Sequence, residues 1–254
     1  MKFKLAIAAV LAAALGQAAG AEGLRIATEG AYPPFNFVDE SGELKGFDVE
    51  VANALCAKLE TECEIVAQAW DGMIPGLKAG KYDAIVASMS ITEKRKKAVD
   101  FTSPYYVAGA ILVAPKDSDI ALDPAKLEGK VIGVQRASTY AALMAARFPE
   151  AEVKEYDTVE NHNLDLLAGR LDGVVAQQIF MYNWLETEGG GDRFEFKGDP
   201  VLDEEFIGAG AGIAVDKSNP ELLKKLDDAL AAILEDGTYD ALNAKYFPFS
   251  IRKQ

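Results

Sequence analysis

The chain has 254 residues, 50% of them hydrophobic, with 26 Lys and Arg against 40 Asp and Glu and a formal net charge of −14. That balance makes it a poor partner for nucleic acid or an anionic membrane surface, both of which reward Lys and Arg. The length allows one large domain or two of about 100 residues each, so the pattern along the chain must decide.

Met1, Lys2 and Lys4 precede an apolar stretch at 5–15, and Ala19-Gly20-Ala21 come before charge returns at Glu22. This is the layout of a secretory signal peptide over 1–21, its apolar run shorter than the roughly 20 residues of a spanning helix. The mature chain is expected in the periplasm or an equivalent oxidising space. There Cys56 and Cys63 read as a disulfide, since zinc would need two further ligands and the one histidine, His162, is remote in sequence.

Residues 24–27 read as a strand, broken into a loop at Tyr32-Pro33-Pro34, with a polar turn at 39–42. From 47 to 59 the residues Phe47, Val51, Ala54, Leu55 and Leu59 recur at helical spacing, with Asp48 and Glu50 in the first turn, where the helix dipole favours acids. Strand 64–67, helix 73–79 and strand 83–87 follow. After Phe101-Thr102-Ser103-Pro104 the alternation restarts, with strands 131–134, 153–156 and 173–176 separated by helices 138–147 and 161–169. This alternation predicts two successive α/β units, each a parallel sheet covered by helices. His162, flanked by Asn161 and Asn163, is expected on the exposed face of its helix. The stretch 220–247 is helical, broken at Gly237, and has no strands of its own to cover. Its apolar face of Leu222, Leu226, Leu230, Ile233 and Leu234 is expected to return to the first unit. Gly189-Gly190-Gly191 reads as a flexible turn, because a phosphate loop would continue into Lys and Ser or Thr.

Three segments carry a resemblance. Gly46-Phe47-Asp48-Val49-Glu50, then Ala87-Ser88-Met89-Ser90-Ile91-Thr92-Glu93-Lys94-Arg95, then Asp236-Gly237-Thr238-Tyr239 before Lys245-Tyr246-Phe247 stand in the order and spacing of the periplasmic polar amino-acid-binding proteins of ABC importers. The chain is most similar to the branch for lysine, arginine, ornithine and histidine, with its opine-binding relatives, and that branch also has a cysteine pair at this spacing. The resemblance implies an α/β fold of the type II periplasmic binding protein, two lobes joined by two crossing strands with the ligand cleft between them. Lobe 1 would be 22–108 and 209–254, lobe 2 would be 109–208, and the crossings would run near 104–109 and 205–210. It also implies a monomer without cofactor that hands a small molecule to a membrane permease.

Residue by residue, the resemblance implies a ligand set. By spacing alone Arg95 belongs to the solvated basic run 94–97, but the family uses the matching Arg for the ligand α-carboxylate, which a guanidinium meets with two parallel hydrogen bonds. Thr92 is placed to cap the short helix that carries it. Ser88 and Ser90 follow an apolar strand and match positions that hydrogen-bond the ligand. Ser138 and Thr139 open a helix, where free backbone N–H groups await an anion; N-capping by Ser138 is compatible with that. Tyr32 and Trp70 would otherwise read as core, but match the pair that sandwiches the ligand side chain, and Glu29 matches an acid that meets a distal cation.

One position departs from the family. Where members that bind ordinary α-amino acids have an aspartate to pair the ammonium, Ala168-Gly169-Arg170-Leu171-Asp172 leads here to Gln177. An unpaired buried ammonium costs several kcal/mol, so the ligand is expected to be a basic amino acid or an opine-like arginine derivative whose own second carboxylate neutralises its amine. Gln135, or Arg136 beside it, would meet that carboxylate. Two other classes compete. A cyclohexadienyl or arogenate dehydratase on the same scaffold would need an acid where Gln177 stands, and a receptor sensor would need a membrane helix and a signalling domain.

Overall fold

A computed structural model describes residues 23–187 and 190–252. The signal-peptide expectation at 1–21 and part of the triple-glycine turn lie outside the described residues.

The first sheet is assembled from strands close in sequence and one that returns from far away. β1 (Leu24–Thr28) leads through a small antiparallel sheet of β2 (Ala31–Tyr32), β3 (Asn36–Val38) and β4 (Leu44–Lys45) into α1 (Phe47–Lys58). Then come β5 (Cys63–Ala67), a short 3-10 turn at Trp70–Gly72, α2 (Met73–Lys78), β6 (Ala84–Ile85), α3 (Glu93–Lys96) and β7 (Val99–Phe101). The second sheet takes β8 (Ala110–Pro115), then α4 (Pro124–Leu127), β9 (Val131–Gln135), α5 (Thr139–Arg147), β10 (Glu152–Tyr156), α6 (Val159–Leu167), β11 (Gly173–Gln177), α7 (Gln178–Thr187) and β12 (Phe194–Phe196). The chain then returns as β13 (Ala214–Asp216) to the first sheet and ends in α8 (Pro220–Glu235) and α9 (Thr238–Tyr246).

The strand orders are β5-β1-β6-β13-β7 and β10-β9-β11-β8-β12. In each sheet the strands joined through helices run parallel, as β1 does with β5 and β6, and β9 with β10 and β11. The remaining pairs, β13 with β6 and β7 and β8 with β11 and β12, are antiparallel. Where the chain passes between sheets, isolated bridges pair Tyr106 with Ala211 and Ala110 with Val201.

The return of α8 to the first sheet follows from its apolar face. Leu222, Leu226, Ala229, Leu230 and Ile233 are buried in it, in a core shared with Phe47, Val51 and Leu55 of α1. Ion pairs Lys58–Asp236 and Lys245–Glu50 tie α1 to this end of the chain. The disulfide Cys56–Cys63 joins the last turn of α1 to the first residue of β5, with Cα atoms 6.2 Å apart.

Two expectations need correction. His162 is fully buried, not exposed, and stands edge-on to Tyr156 at 6.1 Å. The polar neighbours misled because Asn163 is buried as well, at 2% exposure. Asp48 stands in the first turn of α1, as expected, and is fully buried. The strand expected at 83–87 is paired only at Ala84 and Ile85, because Ser88 turns into the left-handed region at φ 54°.

Burial pushes the His162 imidazole down to about 3 from an ordinary 6.5. The unfolded chain therefore binds a proton that the folded chain refuses, and stability is lost as pH falls from 6.5 toward 3. Melting temperatures at pH 7 and pH 5 should differ less for His162→Phe than for the parent. The seven-residue disulfide loop lies at the opposite end of β5 from Trp70, so Cys56→Ala with Cys63→Ala should cost on the order of 2 kcal/mol of stability by denaturant unfolding and leave ligand affinity unchanged.

Candidate functional site

In open α/β sheets the crevice outside the carboxyl ends of the strands is where loops from several elements converge. Both sheets here turn those ends toward one cavity. It is lined by Glu29 just after β1, Tyr32, Trp70, Ala87, Ser88 and Ser90 after β6, Arg95 on α3, Gln135 at the end of β9, and Ser138, Thr139 and Tyr140 at the start of α5. Nine of the ten residues singled out in the sequence meet in it. Gln177 does not line it. Ala87 and Tyr140 line it without having been singled out, although Tyr140 follows Thr139 directly in the helix-opening segment that was.

Arg95 is held by its local sequence. Thr92 caps α3 by accepting from the Arg95 backbone N–H at 3.2 Å, and one guanidinium nitrogen donates to the Ser90 carbonyl at 3.0 Å. The guanidinium carbon lies 5.1 Å from the centre of the Trp70 ring. Among the described residues it makes no salt bridge. Burial lowers its pKa to about 10, so it remains a cation at neutral pH with its remaining donors unanswered by any carboxylate.

Glu29 is the opposite charge in the same cavity. Its Oε1 accepts from Gln135 Nε2 at 2.5 Å, and that amide also donates to the Asp157 carbonyl at 3.2 Å. Burial pushes the carboxyl up to about 7 despite the Gln135 bond, and Asp71 nearby pushes the same way.

The aromatic walls differ from the expected sandwich. Tyr32 stacks on Phe180 at 4.5 Å, leaving one ring face for the cavity, and Trp70 has a face turned to Arg95 while its Nε1 donates to the Ala137 carbonyl at 3.3 Å. Ser138 does cap α5, accepting from the Ala141 N–H at 3.1 Å. Gln177, 3% exposed, donates from Nε2 to Tyr106 at 2.6 Å, and its Oε1 has no partner among the described residues. Arg136, considered for a second carboxylate, is engaged by Asp71 at 2.9 Å and by Asp157.

Carbon-13 titration of the Glu29 carboxyl in the ligand-free protein should give a midpoint near 7. Gln135→Leu removes the one hydrogen bond that stabilises the ionised form and should raise that midpoint. A midpoint near 4.5 in either protein would contradict the environment described here.

Comparison with known proteins fits this geometry. Residues 24–249 match the model of the bacterial extracellular solute-binding proteins, family 3. The ABC transporter arginine-binding protein 1 of Escherichia coli is 38% identical over 245 residues, covering 96% of this chain and 99% of that protein. An arginine-specific periplasmic binding protein of Salmonella typhimurium superposes with a TM-score of 0.82 at 32% identity, covering 88% of this chain and 98% of that one. A His/Glu/Gln/Arg/opine family-binding protein of Silicibacter pomeroyi, solved with lysine, gives a TM-score of 0.80 at 34% identity over 91% of this chain and all of that one. These relatives are binding proteins and not enzymes, which sets aside the dehydratase alternative. The chain belongs to family 3 of the bacterial extracellular solute-binding proteins and has the type II periplasmic-binding fold.

Proposed function

We propose that the protein captures a cationic α-amino acid of the arginine type and delivers it, as a monomer outside the cytoplasm, to the permease of an ABC importer. The ligand carboxylate pairs with Arg95 and with the backbone N–H groups at the start of α5, and its side-chain cation meets Glu29. Tyr32, Trp70 and Tyr140 wall the aliphatic part between them, with Ser88, Ser90 and Thr139 as further hydrogen-bonding contacts. The first sheet with α8 and α9 forms one lobe, 22–108 and 209–254, and the second sheet forms the other, 109–208, closing over the ligand about the bridged segments.

One observation carries this reading: a desolvated guanidinium without a carboxylate and a desolvated carboxyl without a cation, among the described residues, share one small cavity. Each is costly alone, and a molecule with an anion at one end and a cation at the other offsets both. The relatives named for arginine, and the one solved with lysine, are consistent with it. The opine reading has Gln177 in its favour, but the arginine next to the cavity that would take a second carboxylate already bridges Asp71 and Asp157.

Calorimetry on unfolded and refolded, ligand-free protein should show arginine binding ahead of octopine, nopaline and neutral amino acids, with Arg95→Ala weakening it at least about 30-fold. Octopine binding in preference to arginine would overturn the assignment. Because the arriving cation ionises Glu29, arginine binding at pH 6 should release a proton and tighten as pH rises from 5 to 7.5. Glu29→Gln should abolish that pH dependence, and a pH-independent affinity in the parent would contradict the placement of the cation.

A further inference from the structure

Ser88 is held from behind by a buried acid that makes no contact with the cavity. Asp48, the second residue of α1, is 0% exposed. Its Oδ2 accepts from Ser88 Oγ at 2.8 Å and from Asn36 Nδ2 at 2.8 Å, and its Oδ1 accepts from the Tyr105 hydroxyl at 2.7 Å. The same Tyr105 hydroxyl accepts from the Ser88 backbone N–H at 3.0 Å. Asn36 accepts in turn from the Gly30 N–H at 2.8 Å, so the acid also braces the residue after Glu29. Both polar hydrogens of Ser88 are thereby committed inward, on a residue whose positive φ needs such fixing.

A serine hydroxyl has one proton and two acceptor lone pairs. With the proton held in a charge-assisted bond to a buried carboxylate, the oxygen can only accept from the cavity side. We propose that Asp48 is a positioning residue that fixes the hydrogen-bond polarity of Ser88, so that this hydroxyl accepts from a ligand ammonium and discriminates against a carbonyl or carboxylate there. The inference rests on the reading of the cavity as a site for a cationic α-amino acid, and it says where the α-ammonium goes. Gln177 brings no charge to an ammonium, and on this reading the acceptor is Ser88, polarised by Asp48 behind it. Burial pushes the Asp48 carboxyl up to about 6 while its three donors pull it down, so it is an anion at pH 7.

The test compares arginine with its 2-oxo analogue, which keeps the carboxylate and the guanidinium but offers only an acceptor at the α-carbon. The parent should prefer arginine strongly. In Asp48→Ala the serine proton loses its acceptor and is free to turn into the cavity, and the preference should fall by about tenfold or more. Ser88→Ala should show a comparable fall, and the double variant should be no worse than Ser88→Ala alone. An Asp48→Ala protein that melts lower but keeps the full preference would show that the acid only supports the fold, and would overturn the proposal. If the parent binds neither compound, the reading of the cavity fails instead. The polarity of Ser88 is then decided without ligand, as it is if Asp48→Ala does not fold. Carbon-13 titration of Asp48 should show a carboxylate at pH 8, with a midpoint raised by Ser88→Ala; a protonated Asp48 at pH 8 or an unmoved midpoint would sink the idea.

Discussion

A cation taken out of water must be answered by a charge or by oriented dipoles, or it costs several kcal/mol. Arg95 is answered within the described residues only by the Ser90 carbonyl and the face of Trp70. The surrounding architecture can be understood as what keeps that guanidinium in place and accessible to one small anion. Thr92 fixes the helix that carries it, the carboxyl ends of two sheets close the space around it, and α5 opens opposite it with a capped N-terminus. Glu29, whose carboxyl is lifted toward neutrality by the same burial, supplies the complementary end. A binding protein needs no more chemistry than this, because its task is to hold a molecule and release it unchanged.

The second layer of the site is made of groups that never meet the ligand. Asp48 and Tyr105, from separate segments, meet the hydroxyl and the backbone N–H of Ser88, and Asn36 from a third holds Asp48. Their neighbourhood is aromatic: Phe35, Phe47, Tyr106, Tyr239 and Phe247 pack ring against ring around them. That packing keeps water from the buried carboxylate, so its hydrogen bonds stay short and directional. It also joins the start of α1, the passage between the sheets and the C-terminal helix into one unit, which links recognition in the cavity to the body of the fold.

Much of this was legible in the sequence, for identifiable reasons. The periodicity of α8 predicted its return to the first sheet, because an apolar stripe with no local sheet must find a remote one. The cysteine pair read as a disulfide from compartment and spacing. The cavity residues were placed by motif resemblance, since spacing alone left Arg95 in a solvated basic run. What escaped had no local signature. α7 starts directly from the last residue of β11 without a capping residue or turn, and β8 pairs antiparallel with a strand about 60 positions further on. His162 reads as exposed because its polar neighbours forecast exposure, whereas tertiary packing places it in the interior, and no local signature marks the burial of Asp48. Tyr140 follows Ser138 and Thr139 directly, but an aromatic at a helix start reads as core.

The central claim is that the ligand lies along one axis, anion at Arg95 and cation at Glu29. A crystal structure of the complex with arginine tests it most directly. The account predicts the α-carboxylate in hydrogen-bond contact with the Arg95 guanidinium, the α-ammonium on Ser88 Oγ and the side-chain guanidinium against Glu29. A ligand bound in the reverse direction, or one that leaves Arg95 without a carboxylate, would contradict it.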